Sequence, residues 1–111
     1  MAERNIQHAI RLALGREPDL TLWRLSAGAM KLPGGGMARF GLVPGAADLC
    51  GILAPGGKWF CLEIKTATGR QSEAQRQWGA IIQRRGGFYA VTRSVDEARA
   101  ALDRARSGAT E

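Results

Sequence analysis

Long apolar runs are missing from this chain. Nowhere do the ~20 apolar residues of a membrane-spanning helix follow one another, so no such span is expected. Histidine occurs once, at His8, which argues against a metal centre built on imidazoles. His8 reads as a helix-surface or internally satisfied residue. The two cysteines, Cys50 and Cys61, do not make the disulfide framework on which small secreted domains rely. Cys-x-x-Cys, His-Glu-x-x-His, the phosphate-binding loop and Gly-x-Ser-x-Gly are all absent. Residues Met1–Asn5 open without the apolar core of a signal peptide, so the cytoplasm is the expected compartment. Negative charge is in short supply: 10 acids face 16 Lys and Arg, a net charge of +6. That excess fits a polyanionic partner and is typical of nucleic-acid binders. The 111 residues suit one domain, expected over 1–106, with 107–111 a frayed tail.

Against these absences stands one organised stretch. Trp59-Phe60-Cys61-Leu62-Glu63-Ile64-Lys65 reads as a strand, apolar and bounded by Gly56-Gly57 before and Thr66-Ala67-Thr68-Gly69 after. Side chains alternate along a strand, so Trp59, Cys61, Glu63 and Lys65 share one face. A carboxylate inside such a strand is costly unless it is paired or coordinated. The preceding strand is Leu49–Leu53, with Ala54-Pro55-Gly56-Gly57 as the turn. If Leu53 pairs with Lys58, Asp48 falls opposite Glu63 and Cys50 opposite Cys61. Directly opposed side chains lie about 4.5–5.5 Å apart at Cβ. Two carboxylates at that spacing suit a hard cation such as Mg²⁺. A turn shorter or longer by one residue would send Asp48 to the wrong face.

The rest of the chain places this hairpin. Ile6, Ala9, Ile10, Ala13 and Leu14 recur at helical spacing, predicting a helix over Glu3–Leu14. Glu3 either leans toward the buried stripe or is a first-turn acid favoured by the helix dipole. Thr21–Leu25 reads as a first strand. The Gly-rich stretch from Gly28 to Gly45 reads as a long loop carrying Lys31 and Arg39, with a short strand at Arg39–Val43. Such a loop either closes over a phosphate backbone or is a linker with incidental charges. Ser72 with Gln75 matches a capping box for a second helix, whose inner stripe is Ala74, Trp78, Ile81, Ile82 and Arg85. Gln75 has that local role, or it lies beside the Glu63 strand end and orients a water or a phosphate. Phe88–Thr92 is a last strand, and Ser94 with Glu97 opens a last helix through Val95, Ala98, Leu102 and Ala105. The order predicts an α/β fold, a mixed sheet flanked by helices.

The ordered set Gly45-Ala46-Ala47-Asp48, Glu63-Ile64-Lys65, Gly69-Arg70-Gln71-Ser72 with Gln75, and Gly86-Gly87 resembles the PD-(D/E)xK nuclease superfamily. More closely it resembles a VRR-NUC domain, the virus-type replication and repair nuclease, over nearly the whole chain. Ala47 departs from it, where that family usually carries proline. The resemblance implies a restriction-endonuclease-like fold and a metal-dependent, structure-selective DNA endonuclease similar to a Holliday-junction resolvase. It implies that Asp48, Glu63, the Ile64 carbonyl and Glu3 hold Mg²⁺ or Mn²⁺, that Lys65 positions or deprotonates the attacking water, and that Gln75 stands beside the site. Lys31, Arg39, Arg70 and Arg76 are the candidate DNA contacts. Branched DNA, a homodimer and a phage or prophage origin in a bacterial host are implied in the same way. The alternatives are a non-catalytic nucleic-acid-binding module on the same fold, and a nuclease with flap, exonuclease or RNA preference.

Overall fold

The computed structural model describes residues 2–25, 28–40 and 45–111. Helix α1 spans Glu3–Leu14, as its periodicity requires, and buries Ile6, Ile10 and Leu14. Strand β1 (Leu20–Arg24) follows, then β2 (Gly28–Lys31) and β3 (Met37–Phe40), β4 (Leu49–Leu53) and β5 (Lys58–Ile64). Helix α2 (Glu73–Arg84), strand β6 (Phe88–Thr92) and helix α3 (Val95–Arg106) complete the order. No helix among the described residues is long and apolar enough to cross a membrane.

The main sheet runs β1-β4-β5-β6. Its β1–β4 and β4–β5 pairs are antiparallel and its β5–β6 pair is parallel. A parallel pair needs a crossover, and α2 supplies it. Leu53 pairs with Lys58 and Cys50 with Cys61, the register the four-residue turn requires. The two faces separate cleanly. Phe60, Leu62 and Ile64 pack with α1 and with Ala98, Ala101, Leu102 and Ala105 of α3. Phe60 and Phe88 stack there at 5.2 Å between ring centroids. Cys50, Cys61 and Tyr89 face the other way, with Trp78 and Ile82 of α2 packed against them.

Three expectations change. The Gly28–Gly45 stretch is not simply a loop: β2 and β3 form a separate two-stranded sheet, with Lys31 paired to Met37 and Leu32 N–H donating to the Gly36 carbonyl. The small residues Gly28, Ala29 and Ala38 hid the period-2 pattern there. Of the strand expected at Arg39–Val43, Arg39 and Phe40 belong to β3, which begins earlier, at Met37; Gly41 to Val43 lie outside the described residues. On α2 the inward positions are Trp78, Gly79 and Ile82, whereas Ile81 is 40% exposed. Among the described residues α2 is the one helix packed on that face, and Trp78 and Ile82 are its side chains in the cluster there.

Residues 107–111, expected to fray, are tied back instead. Tyr89 N–H donates to the Thr110 carbonyl at 3.0 Å, on the outer edge of β6. Lys58 Nζ donates to the Ala105 and Ala109 carbonyls. These long-range hydrogen bonds carry no periodic signature in the sequence.

Candidate active site

Asp48 stands one residue before β4, and Glu63 one residue before the end of β5. Leu49 pairs with Leu62, so Asp48 and Glu63 come next across the hairpin, at one end of the sheet. Asp48 is clamped twice. Leu25 N–H donates to its carbonyl at 2.9 Å, and Ile64 N–H donates to its Oδ2 at 2.8 Å. The approach to Asp48 is equally constrained. Gly45 has φ of +89°, and a Cβ there would lie 2.3 Å from the Ala74 carbonyl oxygen of α2. Only glycine allows this conformation and this contact together. The Gly-x-x-Asp spacing therefore seats the Asp48 turn directly on the first turn of α2.

Glu63 is 1% exposed and lies on the α2 face of the sheet. Burial, then the hydrogen-bonding and charge of Asp48, push its carboxyl up to about 9; Lys65 pulls it down and Glu3 adds a last small push upward. Without a cation, Glu63 therefore holds a proton at neutral pH. Lys65 Nζ is 4.0 Å from Glu63 Oε2. Glu63 Oε1 is buried and has no hydrogen-bond partner. A buried carboxylate with an orphaned oxygen, beside a second carboxylate, suits a hard divalent cation. The residues present thus fit Mg²⁺ or Mn²⁺ on Asp48 and Glu63.

The other expected residues are placed differently. Glu3 is exposed on α1, which packs against the opposite face of the sheet. Among the described residues, no three His, Cys, Asp or Glu side chains converge as a metal centre, and Glu3 acts on Glu63 through its charge. Gln75 uses its side chain in the capping box: Ser72 N–H donates to Gln75 Oε1 at 2.8 Å, and Gln75 N–H to Ser72 Oγ at 3.1 Å. Its reciprocal local role is the one realised here. Arg70 is exposed, and Arg76 is exposed and pairs with Glu73 at 2.6 Å. Lys31 and Arg39 sit on the β2–β3 hairpin.

Two supports escaped the sequence. Arg93 Nη1 donates to the Thr66 carbonyl and, at 2.7 Å, to the Gly69 carbonyl, fastening the loop that follows Lys65 to the start of α3. Tyr89 Oη accepts from Gln71 Nε2 at 2.8 Å and donates to the Gln75 carbonyl at 3.4 Å. Burial, then the charge of Glu63, push the Tyr89 phenol upward, which sets this ring beside the acidic pair. Both groups act through backbone carbonyls or distant partners, and neither forms a motif.

Helices on both faces of a four-stranded mixed sheet, with Asp and Glu-x-Lys brought to one end, define an α/β protein of the restriction-endonuclease-like class. No family model matches the sequence, and no curated protein does. A solved structure described as a VRR_NUC domain superposes with a TM-score of 0.59 over 91% of this chain and 94% of that one, at 20% identity. The chain has the fold of a VRR-NUC domain.

Proposed function

We propose that this chain is a divalent-metal-dependent DNA endonuclease selective for branched structures, a four-way junction foremost. The observation that carries the reading is the Asp48–Glu63 pair: two opposed carboxylates, one of them buried with an orphaned oxygen, with an ammonium 4.0 Å away. Asp48, Glu63 and the Ile64 carbonyl would hold Mg²⁺ or Mn²⁺. When bound, such an ion supplies Lewis acidity at the scissile phosphate.

The remaining chemistry belongs to the chain's own residues. Glu63 would release its proton to water on holding the cation. Ile64 N–H keeps Asp48 Oδ2 aimed while this happens, so the pair is preorganised. Lys65 directs positive charge at the phosphate and orients or deprotonates the attacking water. Gln75, in the first turn of α2 and part of its capping box, would stand beside the site. Arg70, Arg76, Lys31 and Arg39 contribute salt-sensitive contacts to the phosphate backbone. The net charge of +6 supports a polyanionic substrate. A homodimer would bring two such sites to the two strands of a junction. Exposed Met37 and the Trp23–Trp59 edge-to-face pair, with Trp59 51% exposed, are its candidate surfaces.

The test compares an immobile four-way junction, a 5′ flap, plain duplex and a closed circle, in Mg²⁺ or EDTA. Wild type is expected to nick the junction in pairs, only with metal. Lys65→Ala and Asp48→Asn are expected to lose roughly 10²–10³-fold in cleavage while still binding DNA. Cleavage retained by both variants would sink the assignment. Binding without cleavage on every substrate would favour a non-catalytic module, and failure on the circle alone an exonuclease.

A further inference from the structure

A second feature lies one strand away from the acidic pair. A cavity of about 480 Å³ opens between α2, β6 and the C-terminal residues. That volume suits a small organic ligand. Small side chains at Ala80 and Ala90 line it. Gly79 is where the Tyr89 ring packs, and a Cβ there would lie 2.4 Å from a ring carbon.

Val91 lines the cavity and pairs in register with Glu63. Neighbouring strands are about 4.8 Å apart. Val91 thus brings one wall of the cavity within a strand of the candidate catalytic carboxylate, while Ala90 and Arg104 carry the cavity around the outer edge of β6. Its polar lining is mixed: the amides of Gln71 and Gln83, the guanidinium groups of Arg76 and Arg104, the Tyr89 hydroxyl and the acidic Glu111. Gln71 commits one N–H to Tyr89 Oη, and Gln83 one N–H to the Tyr89 carbonyl at 3.0 Å. Each amide keeps its acceptor oxygen and a second donor. Adjacent donor and acceptor atoms of this kind match the edge of a nucleobase. Arg76 also lines the cavity, with Nε and Nη2 on Glu73 and Nη1 left for a phosphate. Arg104 lies over the Phe88 ring at 5.8 Å, a flat cationic wall.

We infer that this cavity takes one unpaired nucleobase of the strand being cut, extruded next to the scissile phosphate. The inference rests on the nuclease reading and narrows it: the substrate must offer an unpaired nucleotide beside the cleavage point. Extrusion is least costly where a base is already unpaired, which is one source of selectivity. Branch points supply such bases and intact duplex does not.

Ala80→Trp fills the cavity from α2 without touching Asp48, Glu63 or Lys65, and Ala80→Leu is a milder version in case the first does not fold. Binding is measured in EDTA by fluorescence anisotropy, on a duplex with one bulged nucleotide and on its fully paired counterpart. Wild type is expected to prefer the bulged duplex by roughly tenfold, about the worth of one stacked base. A folded Ala80 variant is expected to bring that ratio near one while keeping its affinity for paired duplex. A wild-type ratio near one, or a ratio unchanged in the folded variants, overturns the assignment. Cleavage of the same duplexes in Mg²⁺ separates the two claims. Cleavage without a bulge preference removes the pocket alone. A bulge preference without cleavage keeps the pocket and removes the nuclease.

Discussion

Glu63→Gln is expected to yield a protein that is more stable in the absence of metal and inactive in its presence. The carboxyl titrates at its ordinary 4.5 in the unfolded chain and near 9 when folded. Between those values the folded state holds the extra proton, so raising the pH favours unfolding. The metal-free wild type should therefore lose stability from about pH 5 to pH 9, the window these two values define. Glutamine keeps the shape and cannot ionise. At pH 8 the variant should be more stable by about 1–3 kcal/mol, less than the full shift implies because Lys65 lies close by. Its stability should also be flat across the same window. Cleavage should fall about 10³-fold. Denaturant unfolding at a series of pH values in EDTA measures the first effect. A wild type whose stability is level or rises from pH 5 to pH 9 would contradict the account of Glu63 as a buried, protonated group.

Gly45→Ala should be the most damaging single change near the site. A non-glycine residue in the left-handed region costs about 1–2 kcal/mol before any contact is considered. Here the new Cβ also meets the Ala74 carbonyl at 2.3 Å and the Gln75 nitrogen at 2.9 Å, both backbone atoms of α2 that cannot rotate away. The Asp48 turn and the α2 N-terminus must separate. We expect a loss of about 2–4 kcal/mol, a fall in Tm of roughly 10 °C or more, and loss of cleavage because Asp48 leaves the reach of Ile64 N–H. Ala46→Gly, one residue along, is the control. A Gly45→Ala protein melting within 2 °C or so of wild type would show that this close approach does not fix the turn.

Much of this site was legible because strand geometry leaves little freedom. The four residues Ala54–Gly57 set the pairing of Leu53 with Lys58, and every later pair follows up to Leu49 with Leu62. Asp48 and Glu63 then meet by arithmetic. The capping box at Ser72 and Gln75 was legible for the same reason: it is local. What the sequence concealed is long-range or small. The β2–β3 hairpin is short, and Gly28, Ala29 and Ala38 leave little apolar alternation to read in it. The inward position Gly79 has no side chain to show in a hydrophobic stripe, yet it seats Tyr89. Arg93 reaches back to Thr66 and Gly69 across the fold, a contact that topology creates. Glu3 is less easily read: it is exposed on α1, and its charge is among those that raise Glu63.

The most direct test of the central claim, that Asp48 and Glu63 share one divalent cation, is a thermal-unfolding titration at pH 8 with Mg²⁺ and Mn²⁺. An ion that binds only the folded state raises stability with its concentration, by about 2.7 kcal/mol at a hundred times its dissociation constant. The account predicts that Tm of wild type climbs with either ion, while Asp48→Asn and Glu63→Gln do not respond. A wild type indifferent to both ions, or variants that respond as wild type does, would contradict it.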